Sequence, residues 1–265
     1  MSRRITVSVL RKMKEEGEKI VCLTAYDSSF ARIQEAEGVE VILVGDSLGM
    51  VIQGHGSTLP VTIEDMVYHA RCVSRVTRTA MVMADMPFMS YRNSDQALLN
   101  AARLMQEGGA CAVKLEGGAE ICDTVSHLSR WGIPVCGHLG LQPQSVNKIG
   151  GYRIQGRTES QARQLIEHAR MLEDAGADML VLECIPATLA RQITQDVRIP
   201  VIGIGAGVDC DGQVLVMHDL LGMNPHPPRF VQNFMIEADS ISSAIHAYIH
   251  AVKQQTFPGA EQQFD

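Results

Sequence analysis

Three features that would assign this chain of 265 residues to a familiar class are missing from it. No run of about 18 apolar residues occurs, so we expect no membrane-spanning helix. The seven cysteines form no C-x-x-C pair, and their odd number argues against a closed disulfide framework. Basic residues (23) are fewer than acidic ones (30), so the chain has no electrostatic reason to bind nucleic acid or an anionic membrane.

The compartment can also be inferred from what is lacking. Residues 1–19 are basic and polar with no apolar stretch behind them, so we predict no secretory signal. Most cysteines lie in apolar runs, where free thiols behave as small hydrophobic side chains. A reducing, cytoplasmic environment is therefore expected.

Short apolar runs alternate with amphipathic segments along the chain. Strands are predicted over 20–26, 39–45, 80–85, 110–115, 133–137, 178–182, 200–205 and 213–217. Helices are predicted over 28–37, 63–76, 94–107, 120–131, 160–175, 188–195 and 241–253. Ser94 stands at a helix N-cap position and Gly38 at a C-cap position.

The strands are almost continuously apolar, which is typical of parallel strands covered on both faces. Up to eight strand–helix units indicate an α/β fold, a (β/α)8 TIM barrel, with an open doubly wound sheet as the alternative. We expect a single domain over 1–265, with a short N-terminal helical segment and a loose polar tail from about residue 256.

Five successive strands end in ionisable side chains. These are Asp46 at the end of strand two, Asp85 at the end of strand three, Lys114 and Glu116 at the end of strand four, His138 at the end of strand five and Glu183 at the end of strand six. The carboxyl ends of barrel strands meet at one rim, where barrel enzymes keep their active sites. Two long loops, 47–62 and 141–158, follow strands at the same rim.

Each of these side chains alone has an ordinary structural explanation, such as a helix cap for Asp46 or Asp85. Together they would bury several like charges, and a divalent cation is the simplest offset. Hard oxygen ligands with room for water and substrate suit Mg²⁺, which acts as a Lewis acid on carbonyl oxygens. A carboxylate base in the same cavity would permit enolate formation and carbon–carbon bonding.

With these residues identified, the chain strongly resembles the ketopantoate hydroxymethyltransferase family from about residue 5 to 248. The matching segments are T-A-Y-D at 24–27, V-G-D-S-L-G-M at 44–50, T-L-P-V-T at 58–62, A-D-M-P-F-M at 84–89, V-K-L-E-G-G at 113–118, G-H-L-G-L at 137–141, Q-S-V-N at 144–147, G-G-Y at 150–152, L-E-C at 182–184 and I-G-I-G-A-G at 202–207.

The resemblance implies a (β/α)8 barrel with one Mg²⁺ per subunit, assembled as a decamer. It also implies transfer of a hydroxymethyl group from 5,10-methylenetetrahydrofolate to 3-methyl-2-oxobutanoate, giving 2-dehydropantoate on the route to pantothenate and coenzyme A. By the same resemblance, Asp46 and Asp85 are expected to bind the metal directly, and Glu116 is expected to support the metal as a further ligand. Substrate contacts are Asp46, Ser47, Asp85 and Lys114. Glu183 is the proton acceptor, and His138 lines the same cavity as a second catalytic candidate.

Some positions depart from the family pattern, namely Gly56, Lys148 and the stretches 208–211 and 223–229. They bear on loop conformation and folate contacts more than on the reaction. Other hypotheses stay open at this point. Lys114 could form a Schiff base, as in metal-free aldolases. The barrel could also be a metal-dependent carbon–carbon lyase for another 2-oxo acid, or a scaffold without catalysis.

Overall fold

Eight parallel strands close on themselves in the computed structural model, which describes residues 4–265. The strands are β1 Ile20–Thr24, β2 Val41–Val44, β3 Met81–Asp85, β4 Ala112–Glu116, β5 Val135–Gly140, β6 Met179–Glu183, β7 Val201–Ile204 and β8 Gly212–Leu215. β1 pairs with β8 from Ile20 opposite Gly212 to Leu23 opposite Leu215. This pairing confirms the barrel and excludes the open sheet.

Helices cover the outside of the barrel. They are α1 Val7–Glu15, α2 Ser28–Glu37, α3 Leu48–Val51, α4 Ile63–Ser74, α5 Ser94–Gln106, α6 Cys122–Arg130, α7 Val146–Ile149, α8 Glu159–Asp174, α9 Ala187–Asp196, α10 Met217–Leu220 and α11 Ile241–Lys253. The seven predicted helices are confirmed within a few residues at each end. Within residues 4–265, no helix combines the length and apolar composition that crossing a bilayer requires.

The helix ends follow local side-chain chemistry. Gly38 ends α2 with φ +90°, a conformation that glycine adopts without steric cost, as predicted. The predicted cap at Ser94 is wrong by one residue, because the side chain of Asn93 accepts the hydrogen bond from the Gln96 N–H at 2.9 Å. Asn and Ser both serve well as N-caps, so composition alone did not separate the two neighbours.

Carboxylates satisfy backbone donors at the amino-terminal ends of the strands. Glu40 accepts the Val21 N–H at 2.9 Å, and Asp211 accepts the Val201 N–H at 2.9 Å. Lys14, on α1, pairs with Asp211 at 2.8 Å. These bonds join neighbouring strands at the end of the barrel that serves stability, which leaves the opposite rim for chemistry.

The C-terminal tail is packed, so the prediction of a loose tail is wrong. Phe257 is 2% exposed and Phe264 is 9% exposed. The Ala187 N–H donates to the Phe264 carbonyl oxygen at 2.8 Å, and Pro186 and Phe264 form a parallel bridge. The tail is mostly polar, but it contains two phenylalanines. Burial of each phenylalanine stabilises the packing of the tail against the barrel by roughly 1.5–3 kcal/mol.

Candidate active site

The carboxyl ends of β2 to β6 surround one cavity of about 930 Å³. All of the charged candidates from the sequence line it, namely Asp46, Asp85, Lys114, Glu116, His138 and Glu183, and Ser47 lines it as well. Lys114 and Glu116 are two residues apart on β4, so their side chains leave the same face of the strand. The predicted convergence is therefore confirmed, although the role of each residue stays a prediction.

Asp85 connects three neighbouring strands. Its Oδ1 lies 2.6 Å from the Lys114 Nζ, and its Oδ2 accepts the backbone N–H of Asp46 at 3.0 Å. Asp85 and Lys114 are paired across β3 and β4, which explains why the two side chains meet. Both side chains are buried, so this ion pair is largely protected from solvent screening.

His138 lies between two carboxylates. Its Nδ1 is 3.3 Å from the Glu116 Oε1, and its Nε2 is 3.1 Å from the Glu183 Oε2. Within residues 4–265, neither ring nitrogen makes a well-aligned hydrogen bond, so the contact is mainly electrostatic. Burial and Lys114 lower the pKa of His138, but Glu116 and Glu183 outweigh them and raise it to about 9.

Negative charge exceeds positive charge at the ends of β2 to β6. Burial, followed by the charges of Asp85 and Glu116, raises the pKa of Asp46 well above its usual value. Burial alone would lower the pKa of Lys114, yet the surrounding carboxylates raise it well above its usual value. Four carboxylates thus face one lysine and one histidine, and an added cation would favour the ionised form of Asp46.

Gln144 is a site residue that the strand-end analysis missed. It is 6% exposed, and its Nε2 donates to the Asp46 Oδ2 at 2.8 Å and to the Met86 carbonyl oxygen at 2.9 Å. Its backbone N–H donates to the Glu116 Oε2 at 3.0 Å, and the Tyr91 hydroxyl donates to its Oε1 at 2.6 Å. Gln144 follows β5 in a short 3-10 turn, so no strand-end rule selects it. Its only sequence signal is the Q-S-V-N segment.

Ser47 lies at the start of α3, with its Oγ 2.8 Å from the Tyr26 hydroxyl. The side chain makes no helix-capping bond, so its hydroxyl is held by Tyr26 at the cavity wall instead. Tyr26 belongs to the T-A-Y-D segment and is not among the site residues predicted from the sequence. Its hydroxyl group orients the Ser47 hydroxyl through this hydrogen bond.

The donor set suits a hard cation that keeps much of its own hydration. Across residues 4–265, no three His, Cys, Asp or Glu side chains converge closely enough to cage a metal ion. Asp46 and Asp85 are 4% and 3% exposed and offer carboxylate oxygens on neighbouring strands. Two carboxylates with remaining positions for water and ligand are typical of Mg²⁺ and unlike a zinc cage.

A family model described as ketopantoate hydroxymethyltransferase matches residues 4–260. A protein of Halorhodospira halophila named 3-methyl-2-oxobutanoate hydroxymethyltransferase is 56% identical over 261 residues, covering 98% of this chain and 95% of that protein. A protein of the same name from Nitrosococcus oceani is 59% identical over 256 residues, covering 96% and 97% of the two chains.

More distant solved structures share the architecture. Phosphoenolpyruvate phosphomutase from Streptomyces platensis superposes with a TM-score of 0.62 at 16% identity, covering 82% of this chain and 83% of that chain. A 2,3-dimethylmalate lyase of the PEP mutase/isocitrate lyase superfamily superposes with a TM-score of 0.58 at 19% identity, covering 96% and 98%. At these identities the likeness shows the barrel fold alone.

Proposed function

This chain belongs to the ketopantoate hydroxymethyltransferase family and is a transferase, and we propose that it uses Mg²⁺ and 5,10-methylenetetrahydrofolate to convert 3-methyl-2-oxobutanoate to 2-dehydropantoate. The reaction replaces the C3 hydrogen of the 2-oxo acid with a hydroxymethyl group. The observation that carries this proposal is the buried cluster of four carboxylates, one lysine and one histidine in a single cavity.

Asp46 and Asp85 would hold the metal directly, with Glu116 supporting it. When bound, Mg²⁺ would supply a Lewis acid that polarises the oxygens of the 2-oxo acid. Gln144 and the Asp46 backbone N–H fix the orientation of the two carboxylates through the hydrogen bonds described above. Such fixed outer partners are what keep metal-binding carboxylates aligned.

Glu183 would accept the proton from C3 of the 2-oxo acid. Its side chain is 15% exposed, so the carboxylate reaches the cavity. His138, 3.1 Å from the Glu183 Oε2, would fix the position of that carboxylate before substrate binds. The C3–H bond breaks, the proton moves to Glu183, and the electron pair forms the enolate that attacks the one-carbon unit. One water molecule supplies the oxygen of the new hydroxyl group, and tetrahydrofolate leaves with the C3 proton and one water proton on its two nitrogens.

Lys114 and Ser47 would bind the 2-oxo acid itself. The Lys114 ammonium, fixed by Asp85 at 2.6 Å, is positioned to stabilise negative charge that develops on substrate oxygen. Ser47 presents a hydroxyl held by Tyr26 at 2.8 Å. Because both groups are anchored before substrate binds, little reorganisation is needed during the reaction.

The experiment that tests this function is proton exchange at C3 of 3-methyl-2-oxobutanoate in D₂O, followed by NMR with and without Mg²⁺. We expect Mg²⁺-dependent exchange in the wild type and a loss of about 100-fold or more in Glu183→Gln. Glu167→Gln removes an exposed carboxylate from α8 and should leave the rate unchanged. Absence of exchange in folded, Mg²⁺-loaded wild type would refute the proposal. Exchange that persists in Glu183→Gln would overturn the assignment of the base, and His138 would be tested next.

A Schiff base on Lys114 is the competing mechanism. The ion pair with Asp85 argues against it, because an ammonium held by a buried carboxylate is a poor nucleophile. Borohydride trapping of the 2-oxo acid on Lys114, with activity that survives a chelator, would favour the Schiff base. Formation of 2-dehydropantoate from methylenetetrahydrofolate separates the proposed transfer from a lyase acting on another 2-oxo acid.

We further propose a cytoplasmic homo-oligomer, a decamer, which binds small molecules and no nucleic acid. Exposed apolar side chains on the outer helices support association between copies, among them Leu99 at 69% exposed and Trp131 at 68%. Light scattering during size-exclusion chromatography would measure the assembly. A monomeric mass at micromolar concentration would refute it.

A further inference from the structure

The cavity extends well beyond the residues that the proposed reaction uses. Its catalytic groups come from β2 to β6. Its other wall, over β7, β8 and the C-terminal tail, has apolar side chains next to the polar Asn224, His226 and Arg229, and the apolar ones include Ile204, Val214, Phe230 and Phe264. A volume of about 930 Å³ lies at the upper end of the range for pockets that hold drug-sized ligands. A small branched 2-oxo acid would fill only the catalytic part.

One buried carboxylate interrupts this second wall. Asp219, on α10 directly after β8, is 7% exposed and lines the cavity. Its Oδ1 accepts from the Asn224 Nδ2 at 2.9 Å, and in the part of the chain from residue 4 to 265 no group donates a hydrogen bond to its Oδ2. A carboxylate in an apolar wall is costly unless a donor meets it. The proposed reaction assigns Asp219 no part.

The surroundings of Asp219 define the ligand it would accept. A ligand with two adjacent N–H donors fits, because one donor can meet the Oδ2 and the other the remaining lone pair of the Oδ1, while its flat faces contact apolar side chains. A reduced pterin has this form, because its ring N3–H and its 2-amino group point in the same direction. We propose that Asp219 anchors the pterin ring of the one-carbon donor, which places the donor's methylene group toward the catalytic side of the cavity. This inference rests on the proposed function.

Charge at the cavity mouth sets the orientation of the donor. Arg153, Arg157 and Arg229 line the cavity and are exposed. Arg229 is held in place by its Nε bond to the Glu261 carbonyl oxygen at 2.8 Å and lies over the Phe264 ring. The glutamate tail of a folate is anionic, so it is repelled by Asp219 and attracted to these arginines. The pterin ring therefore lies inward and the tail outward.

Asp219 also has a structural contact that the test must separate from ligand binding. Asn224 bonds Asp219 through its Nδ2 and accepts the His226 N–H through its Oδ1 at 3.0 Å, so the two residues secure the turn after α10. Asp219→Asn keeps an oxygen for Asn224 but replaces the second carboxylate oxygen with a donor. Asn224→Ala removes the turn bond and leaves the carboxylate intact.

The test combines fluorescence titration with tetrahydrofolate, transfer kinetics with methylenetetrahydrofolate, and C3 exchange of the 2-oxo acid without folate. In Asp219→Asn we expect Kd for tetrahydrofolate and KM for methylenetetrahydrofolate to rise about tenfold or more, with the exchange rate within about twofold of wild type. Asn224→Ala, which removes the bond that holds the turn but keeps the carboxylate, should raise these constants by clearly less than Asp219→Asn does. Failure of the proposed function would instead appear in the wild type as absent exchange or transfer.

Three outcomes would overturn the assignment: unchanged tetrahydrofolate binding in Asp219→Asn, a parallel loss of exchange, or equal weakening in Asn224→Ala. A ligand variant avoids dependence on folding of the mutants. Tetrahydrofolate with a methyl group in place of its 2-amino group should bind the wild type about tenfold more weakly, since one donor to Asp219 is gone. Equal binding of the two folates by wild type would also overturn the assignment.

Discussion

Replacing Gln144 with methionine is expected to weaken metal binding without unfolding the barrel. The two side chains have similar length, so packing is largely kept while three hydrogen bonds are lost. The bond to the Asp46 carboxylate contributes about 1.5–3 kcal/mol, and the neutral bonds with Met86 and Tyr91 contribute about 1 kcal/mol each. The backbone N–H bond to Glu116 is unaffected by the side chain.

Because Asp46 loses the donor that orients it, the Mg²⁺ concentration for half-maximal C3 exchange should rise about 10- to 100-fold in Gln144→Met. The exchange rate at saturating Mg²⁺ should fall less. The assay is NMR-detected exchange titrated with Mg²⁺, together with urea unfolding to check stability. Gln142→Met, two residues earlier and without side-chain hydrogen bonds in the described structure, is the matched control. An unchanged Mg²⁺ titration in Gln144→Met would refute the reasoning.

Two further predictions concern the frame around the site. Burial raises the pKa of Glu35, but hydrogen bonds from the N–H groups of residues 78–80 and a hydroxyl outweigh it and lower that pKa. Glu35→Gln should therefore lower the free energy of unfolding by about 1–3 kcal/mol at pH 7. In urea titrations, the difference in unfolding free energy between wild type and variant should vanish as the pH falls below about 4, where Glu35 becomes protonated. A difference that does not depend on pH would contradict this. At Gly140, a Cβ would lie 2.2 Å from the Glu183 carbonyl oxygen, so Gly140→Ala should displace the end of β6 and reduce C3 exchange at least about tenfold. Gly132 has a similar positive φ with open space around it, so Gly132→Ala should lower the free energy of unfolding by only about 1 kcal/mol. Equal C3-exchange activity in the two variants would refute the steric argument.

The parallel sheet was predictable because its strands are buried on both faces. That burial favours nearly continuous apolar runs, which most of the strands show. The link between β7 and β8, residues 205–211, contains no helix. The positions of Asp46, Asp85 and Glu183 follow from the same logic, since a charged residue that ends an apolar parallel strand can lie only at the barrel rim.

The two predictions that the structure contradicts, the loose tail and the helix cap at Ser94, were wrong for specific physical reasons. The tail was predicted to be loose from its polar composition, yet Phe257 and Phe264 bury their rings against the barrel. The N-cap of α5 was predicted at Ser94 and is Asn93, because both residue types have the oxygen that a cap requires. Neither question is decided by local composition, because each depends on which group meets a partner in the folded chain.

By itself, the sequence determined the order of elements, the parallel strands and the set of charged side chains at the strand ends, because hydrophobic periodicity and strand polarity are local properties of the chain. Closure of the sheet depends on the pairing of β1 with β8, which are remote in the chain. Only the tertiary structure decided which partner each charge meets. Gln144 reaches Asp46 across 98 positions of the chain, and His138 is held between Glu116 and Glu183. The Asp219 Oδ2, which accepts no hydrogen bond from the described residues 4–265, is likewise visible only after folding, because its surroundings come from segments that are remote in the chain.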